Sequence, residues 1–370
     1  MSGHCSHRFA PRDRHLPTHP PGAVTGRRPG RDRPRFTLDR RLPEGALAAS
    51  LRADVRAGLT TRPKTLPPKW FYDAQGSRLF DRITRLPEYY PTRVERRLLA
   101  AHAAETARLS RARTLVELGS GSSEKTRVLL DALLHAGTLE RYAPLDVSPS
   151  ALTEAGRALC REYPRLRVQA TVTDLESDLA LPDGDGPRLV AFLGSTLGNL
   201  TAPQRDAFYA ALRRSLTAGD TLLIGVDLVK EPAVLLRAYD DAEGVTAEFN
   251  RNVLRVMNRE LGADFAPDAY EHRAVWDDHE ERIEMRLRSR TAQTVKFPSL
   301  DLSVDFAAGE ELRTEISVKF RQERLTAELA RAGLTVRRWW TDRPAHRSLP
   351  DRGSAHQAPR FALLLVVPTL

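Results

Sequence analysis

Hydrophobic and polar positions between residues 114 and 228 alternate between two patterns. Short apolar runs favour strands, and longer stretches with apolar residues three or four apart favour helices. This alternation predicts an α/β fold of the doubly wound type, in which helices cover both faces of a parallel sheet. The predicted strands are 114–118, 142–147, 168–172, 189–193 and 221–228, and the predicted helices are 124–136, 150–163 and 204–216.

The pattern changes after residue 230. Helical spacing over 231–261 is followed by two alternating runs, 273–276 and 281–287, which predict an antiparallel hairpin, and by a further alternating run at 312–320. A helix at 322–332 and strands at 334–340 and 361–367 then resume the first pattern. We therefore expect a Rossmann-like sheet interrupted by a second, smaller α+β substrate-binding domain. The predicted division is a disordered tail at 1–35, a substrate-binding domain at 36–92 plus 230–319, and a cofactor-binding domain at 93–229 plus 320–370.

Composition narrows the class of protein. The chain has 370 residues, of which 41% are hydrophobic and 28% charged, as in ordinary globular proteins. No apolar run approaches the ~20 residues of a membrane span, and the first residues lack the apolar segment of a secretory signal. Two cysteines cannot form a disulfide framework. We therefore expect a cytoplasmic protein that does not act at a membrane.

The net charge of +9 points to nucleic acid until its distribution is considered. Residues 1–35 carry +6 of that charge, are rich in arginine and proline and have few apolar residues. Such a segment is typical of disorder. The remaining chain carries only +3, which does not predict a basic surface for nucleic acid.

A glycine-containing turn follows the first predicted strand. Gly119 and Gly121 allow a tight turn and bring the backbone close to a ligand, although such a pair is also common in strand-to-helix turns without a ligand. Asp146 and Asp174 end the next two predicted strands, as Glu117 nearly ends the first. Because the carboxyl ends of parallel strands meet at one edge of a sheet, these acids are expected to face a common ligand crevice.

The charge of this turn distinguishes two cofactors. A dinucleotide site has a third glycine where this chain has Glu124, an acid beside the position of the pyrophosphate. S-adenosylmethionine carries a sulfonium cation and no phosphate. Asp146 could accept hydrogen bonds from its ribose hydroxyls and Asp174 from its adenine amine. The sequence therefore favours S-adenosylmethionine over a nicotinamide dinucleotide, and it calls for no metal.

Three further groups are candidates for binding a methyl acceptor. Asn199 follows the fourth strand of the predicted sheet, where it could hold an amine or cap a turn. Tyr72 and Tyr89 lie in an aromatic segment that could form either a lid or a small core. Glu315 and Ser317 alternate along one predicted strand, so they share a face that could bind a ring with two nitrogens or could simply be solvated.

Several long motifs resemble one family. They are Lys64–Ser77 (KTLPPKWFYDAQGS), Leu79–Arg93 (LFDRITRLPEYYPTR), the glycine turn, Gly194–Asn199 (GSTLGN) and Arg313–Ser317 (RTEIS). The chain resembles the L-histidine Nα-methyltransferases of ergothioneine biosynthesis over residues 36–370. This resemblance implies a class I methyltransferase fold and trimethylation of the histidine α-amine to hercynine, with S-adenosylmethionine as donor.

The resemblance also implies roles for individual residues. The cofactor would be bound by Gly119, Lys125, Asp146, Asp174 and Leu175. The amino-acid part of histidine would be held by Tyr89, Asn199 and Tyr239, with Tyr72 reaching the amine through water. The imidazole would be held by Glu315 and Ser317, with Phe249 and Met285 as walls. Tyr72 and Asn199 would lie closest to the chemistry.

Three alternatives follow from the same residues. A methyltransferase for another small amine would keep the cofactor residues and differ at positions 315 and 317. A tRNA or protein methyltransferase would require a basic surface beside the crevice, and a non-catalytic adaptor would not require intact cofactor and acceptor motifs. We expect a small-molecule enzyme that acts as a monomer, without nucleic acid or membrane partners.

Overall fold

The computed structural model describes residues 35–121, 123–175, 179–342 and 359–369. The predicted tail lies outside them apart from Arg35. The strands of the described residues are β1 (Phe36–Arg40), β2 (Lys64–Thr65), β3 (Thr114–Leu118), β4 (Arg141–Asp146), β5 (Arg167–Val172), β6 (Arg188–Phe192), β7 (Thr221–Asp227), β8 (Tyr270–Asp277), β9 (Arg282–Ser289), β10 (Gln293–Phe297), β11 (Leu302–Phe306), β12 (Glu311–Val318), β13 (Leu334–Thr341) and β14 (Phe361–Pro368).

Helices fill most of the connections between these strands. They are α1 (Ala46–Leu59), α2 (Ala74–Ile83), α3 (Pro91–Ser110), α4 (Thr126–His135), α5 (Pro149–Glu162), α6 (Ala202–Ser215), α7 (Pro232–Tyr239), α8 (Val245–Leu261) and α9 (Gln322–Arg331). Two 3₁₀ turns, Pro68–Phe71 and Thr196–Asn199, lie next to predicted site residues.

An eight-stranded sheet has the order β1-β5-β4-β3-β6-β7-β14-β13. The six strands from β1 to β7 pair in parallel, whereas β14 and β13 pair antiparallel. Strand order reverses between β3 and β6, and in open α/β sheets ligands bind at such a point. The carboxyl ends of β3, β4, β5 and β6 therefore mark the position of the site.

Both faces of this sheet are buried, which explains the near-continuous apolar runs of its strands. Along β3, Leu115 belongs to the core under one face and Val116 to the core under the other. Helices α3 and α4 contribute to the first core, and α6 and α9 contribute to the second. The doubly wound α/β class predicted from the sequence is confirmed.

A four-stranded sheet, β2-β12-β9-β8, and a hairpin of β10 and β11 account for the remaining strands. The predicted hairpin corresponds to β8 and β9. These strands pair antiparallel without irregularity, from the pair Tyr270 and Ser289 to the pair Asp277 and Arg282. Strand β12 pairs antiparallel with β9, but its register shifts between Arg313 and Glu315. That shift determines which side chains face the site.

The N-terminal strand differs from the sequence expectations. Strand β1 was not predicted, and it pairs with β5 in the large sheet although residues 36–92 were assigned to the substrate-binding part. The domain division itself stays a prediction. None of the helices in the described part of the chain has the length and apolar character that crossing a bilayer would need.

A buried ion pair holds α6 to α9 on one face of the large sheet. The Arg205 guanidinium donates to both carboxylate oxygens of Glu328, at 3.0 and 2.9 Å. The two side chains are only 4% and 8% exposed. Burying such a pair removes both charges from water. Removing one partner therefore destabilises the fold more than replacing both with apolar residues, because it leaves the other charge buried and unpaired.

We expect the Arg205→Met substitution to lower the free energy of unfolding by about 3 kcal/mol or more, because it leaves the Glu328 carboxylate buried and unpaired. The double variant Arg205→Met/Glu328→Leu should lose clearly less. Urea unfolding of both variants measures the difference. A double variant less stable than the single one would contradict this account.

Candidate active site

The thirteen residues that the sequence assigned to a site line a single cleft of about 1890 Å³ at the carboxyl ends of the parallel strands. They come from distant segments of the chain, and the structure brings all of them together. They are Tyr72, Tyr89, Gly119, Lys125, Asp146, Asp174, Leu175, Asn199, Tyr239, Phe249, Met285, Glu315 and Ser317.

The glycine turn after β3 is bound to the end of β4. Gly119 and Gly121 have φ values of 66° and 49°, a region that favours glycine over residues with a side chain. The Gly121 N–H donates to Asp146 Oδ2 at 2.9 Å, and the Ser148 N–H donates to Asp146 Oδ1 at 3.0 Å. Burial raises the pKa of Asp146, and these backbone donors oppose that shift. The carboxylate is thus held in one orientation at the cleft.

Lysines accompany the other predicted cofactor residues. Lys69, from the 3₁₀ turn before Tyr72, lies with its Nζ 3.4 Å from Asp174 Oδ2. Lys125 forms an ion pair with the fully buried Glu95 of α3. The second carboxylate oxygen of Glu95 accepts the Gly194 N–H at 2.6 Å. The ammonium of Lys125 is therefore fixed between α3 and the turn after β6.

Glu117 lies deeper than the sequence suggested. Its carboxylate accepts hydrogen bonds from Thr126 Oγ1 at 2.7 and 2.6 Å and from the hydroxyl of Tyr142. Burial raises the pKa of Glu117 to about 7. The side chain borders the cleft, but its oxygens connect β3, β4 and α4 to one another.

A β-bulge directs Glu315 into the cleft. Arg313 of β12 pairs with Arg286 of β9, and Glu315 pairs with the very next residue, Met285, which leaves Thr314 as an extra residue. The extra residue reverses the alternation. Arg313 therefore binds Glu284 on the charged face, with 3.0 Å between nitrogen and oxygen, while Glu315 shares the cleft with Met285.

Two side chains satisfy the backbone groups at the bulge. Thr314 Oγ1 lies 2.6 Å from Asn250 Oδ1 and 3.0 Å from the Met285 carbonyl. Asn250 Nδ2 donates to the Arg286 carbonyl at 3.1 Å and lies 2.9 Å from His272 Nδ1. The bulge is thus tied to α8.

His272 extends this connection to α7. Its Nε2 lies 2.9 Å from the Tyr239 carbonyl oxygen, which requires a proton on Nε2 and leaves Nδ1 to accept from Asn250. Burial lowers the pKa of His272, so the neutral ring is favoured. The same chain of contacts therefore positions both the bulge and Tyr239.

Asn199 reaches the bulged strand directly. Its Nδ2 donates to Glu315 Oε1 and to the Ile316 carbonyl oxygen, both at 2.8 Å. The 3₁₀ turn can approach this closely because residue 198 is glycine, where a Cβ would lie 2.7 Å from the Val318 carbonyl oxygen. Burial raises the pKa of Glu315 to about 7, against the opposing effects of Asn199 and of the Lys319 charge.

Ser317 takes part in a buried polar cluster at the floor of the cleft. Its Oγ lies 2.7 Å from the Tyr239 hydroxyl and 2.8 Å from Lys319 Nζ. Lys319 Nζ also lies 2.9 Å from the Tyr239 hydroxyl and 3.1 Å from Asp227 Oδ2. Asp227 accepts further hydrogen bonds from Tyr90 and Lys230.

The sequence reasoning did not assign roles to Asp227 and Lys319, although signals for both were present. Asp227 ends a predicted parallel strand, as Asp146 does. Lys319 continues the alternation of Glu315 and Ser317 along the same strand direction. Asn250 has no comparable local signal, because its partners lie 22 to 64 positions away in the sequence.

Aromatic rings form a further part of the cleft lining. Tyr72 packs edge-on against Phe80 and Phe249, with 5.6 Å between ring centroids in each case. Phe80 also packs against Tyr89 at 6.1 Å, and Tyr89 against Tyr239 at 6.4 Å. Among the described residues, the hydroxyls of Tyr72 and Tyr89 have no hydrogen-bond partner.

The backbone next to Tyr72 is anchored. Asp73 caps α2 by accepting the Gly76 N–H at 2.7 Å. It also accepts from Asn252 at 2.8 Å and from Arg259 at 2.9 Å, both on α8. Helix α8 thus positions Tyr72, through Asp73, as well as Phe249 and the bulge.

The chemistry of the cleft fits a sulfonium cofactor at one end and a small polar acceptor at the other. Asp146, Asp174 and Glu124 border the cofactor end. Carboxylates there would repel a diphosphate and attract a cation. Glu315 and Ser317 present a carboxylate and a hydroxyl to the same cleft.

Comparisons with known proteins show which sequences this chain is similar to. The profile of a family described as histidine-specific, SAM-dependent methyltransferases matches residues 51–349. The chain is 58% identical over 307 residues to the histidine N-alpha-methyltransferase of Mycolicibacterium smegmatis, covering 83% of this chain and 96% of that protein. It is 56% identical over 308 residues to the protein of that name from Mycobacterium tuberculosis, with the same coverage.

A crystal structure of an S-adenosylmethionine-dependent methyltransferase from Clostridium acetobutylicum superimposes with a TM-score of 0.45 at 12% identity, covering 80% of this chain and 98% of that one. The family profile spans most of the described residues, and the two mycobacterial proteins align with this chain over nearly their whole length. The chain belongs to the family of histidine-specific, S-adenosylmethionine-dependent methyltransferases.

Proposed function

We propose that this protein transfers three methyl groups from S-adenosylmethionine to the α-amine of L-histidine and so forms hercynine, the first step of ergothioneine biosynthesis. The observation that carries the proposal is the pair of Glu315 and Ser317 on the bulged strand, which faces the same cleft as the predicted cofactor residues. The high identity to two histidine N-alpha-methyltransferases supports it.

The cofactor residues fit the role that the sequence gave them. Asp146 retains lone pairs for the two ribose hydroxyls beyond those used by Gly121 and Ser148. Asp174 lies at the next strand end, where it suits the adenine amine, and Leu175 follows it. When bound, S-adenosylmethionine supplies a methyl group on a sulfonium, a carbon already activated toward displacement.

The enzyme's own part in the reaction is to position a neutral amine. Tyr89, Asn199 and Tyr239 surround the amino-acid part of the substrate in this proposal, and Tyr72 stands closest to the amine. Burial raises the pKa of Tyr89 and of Tyr239, which makes either phenolate a rare species near neutrality. No strong base faces the amine among these residues, so the ammonium loses its proton to water, and orientation supplies the acceleration.

Trimethylation is consistent with the aromatic side of the cleft. Each transfer replaces an N–H by a methyl group, and the final nitrogen is a quaternary ammonium. The rings of Tyr72, Tyr89 and Phe249 offer apolar surface and π-faces, which suit such a cation. The described chain supplies all the predicted site residues by itself, in keeping with a monomeric enzyme.

Mass spectrometry tests the proposed activity. The purified protein is incubated with S-adenosylmethionine and each of the twenty amino acids separately. We expect only histidine to gain three methyl groups. Methylation of a different amine, with histidine unchanged, would retain the cofactor assignment and overturn the substrate. No methylated product with any amino acid would overturn the proposed activity.

The Glu315→Gln substitution separates stability from function. An unfolded glutamate titrates near 4.3, and the folded carboxyl has a pKa of about 7. The folded state therefore holds this proton more tightly, so ionising Glu315 lowers the free energy of unfolding. This loss is absent below about pH 4 and complete above about pH 7. Glutamine removes that cost.

We expect Glu315→Gln to raise the free energy of unfolding at pH 8 by about 1–3 kcal/mol and to leave it nearly unchanged at pH 4. The same variant should raise KM for histidine about 10-fold or more, because a charged acceptor is lost. Urea unfolding at both pH values and steady-state kinetics measure these effects. An equal change in stability at the two pH values would contradict the assigned pKa.

Removing the hydroxyl that holds the bulge should weaken substrate binding. We expect Thr314→Val to raise KM for histidine several-fold and to change kcat much less, because Glu315 loses its fixed direction while the reacting atoms do not change. Thr294→Val is the matched control, since its hydroxyl bonds only Asp305, on the exposed face of the β10–β11 hairpin. Equal effects of the two substitutions would argue against a role for the bulge.

A further inference from the structure

Lys319 does not line the cleft, yet it touches two of the residues that do. Its side chain is fully buried, and its ammonium lies within 3.1 Å of Ser317 Oγ, the Tyr239 hydroxyl and Asp227 Oδ2. Burial opposes the charge, but Tyr239 and Asp227 outweigh burial and raise the pKa of Lys319 to about 12. An ammonium has three protons to donate, and here it has three acceptors.

The hydrogen bonds of Ser317 limit what its hydroxyl can offer to a substrate. The Tyr239 phenol accepts from Lys319 and lies 2.7 Å from Ser317 Oγ, a contact in which either hydroxyl could be the donor, and this inference assigns the donated proton to Tyr239. Ser317 Oγ then receives one hydrogen bond from Lys319 and one from Tyr239. A hydroxyl oxygen has two lone pairs, so both are occupied. Its remaining proton can only be donated, and the open direction is the cleft.

Glu315 has the opposite character. As a carboxylate it only accepts hydrogen bonds, and Asn199 occupies just one of its oxygens. The subsite therefore presents one acceptor and one donor side by side. A neutral imidazole has one N–H and one nitrogen lone pair, and it fits with the N–H toward Glu315 and the lone pair toward Ser317.

We propose that Lys319 is a positioning residue that makes Ser317 an obligate hydrogen-bond donor and thereby selects amino acids whose ring presents an acceptor nitrogen at that point. This inference rests on the proposed function. Lys319 touches no substrate atom. It acts by filling a lone pair of Ser317 and by placing a cation behind it, which also disfavours a ring that carries two N–H groups.

The second lysine on Asp227 provides a matched control. Lys230 Nζ lies 2.6 Å from Asp227 Oδ1, 2.7 Å from the Tyr90 hydroxyl and close to the Leu228 carbonyl, and its bonds do not include Ser317 or Tyr239. A lysine that merely neutralises Asp227 and a lysine that orients Ser317 can therefore be told apart. In Lys319→Met, Asp227 keeps Lys230 and Tyr90 as partners.

The experiment compares kcat/KM for L-histidine with that for its pyrrole analogue, in which a C–H replaces the acceptor nitrogen and the ring N–H is kept. Wild-type enzyme should prefer histidine strongly, because the analogue leaves the Ser317 proton unpaired. We expect Lys319→Met to reduce this preference about 10-fold or more, and Lys230→Met to change it less than about twofold.

A third variant covers a failure of Lys319→Met to fold. Tyr239→Phe removes the other hydrogen bond to Ser317 Oγ and should also reduce the preference about 10-fold, whatever its effect on the two separate KM values. An unchanged preference in Tyr239→Phe would overturn the inference, as would equal preferences in the two lysine variants. Wild-type enzyme that is inactive on histidine would instead overturn the proposed function, and this inference with it.

Discussion

A carboxylate buried at the end of a central strand must be neutralised, and the neutralisation of Asp227 joins the two sheets. Its side chain is 1% exposed and faces two lysines, one from the turn after β7 and one from the end of β12. The backbone repeats this connection, since the Phe320 N–H donates to the Asp227 carbonyl at 2.9 Å. Burial alone would raise the pKa of Asp227, but the two lysines and the Tyr90 hydroxyl outweigh it and hold this pKa below its usual value.

This arrangement restricts where β12 can lie. A buried carboxylate without its cations would be costly, so Lys319 must remain beside β7. Ser317 is two residues away along the same chain direction, and its position in the cleft follows from that anchor. At the other end of this short stretch, the Thr314 bulge sets the direction of Glu315. Contacts within the protein therefore fix Glu315 and Ser317 from both sides.

Local rules in the sequence predicted several of the residues that line the cleft. Acids at successive strand ends led to Asp146 and Asp174, and period-two alternation placed Glu315 and Ser317 on one face. The bulge had no local signal, so alternation alone would have placed Arg313 on that face as well. Asn250 and His272 could not be found, because their role depends on partners from three different elements. The resemblance to a family, and not periodicity, led to Tyr239, Phe249 and Met285, which line the same cleft.

The two ends of the proposed acceptor region are built differently, and the difference suits a reaction that repeats on one nitrogen. At the proposed ring end, Glu315 and Ser317 both have partners within the protein, which fixes their geometry before the substrate binds. At the proposed amine end, the hydroxyls of Tyr72 and Tyr89 make no such bonds within the described residues. The amine loses its hydrogen-bond donors as methyl groups are added, so contacts to those donors could not hold the substrate through three transfers. The imidazole ring does not change during the three transfers, so in the proposed binding mode the contacts of Glu315 and Ser317 can hold the substrate throughout.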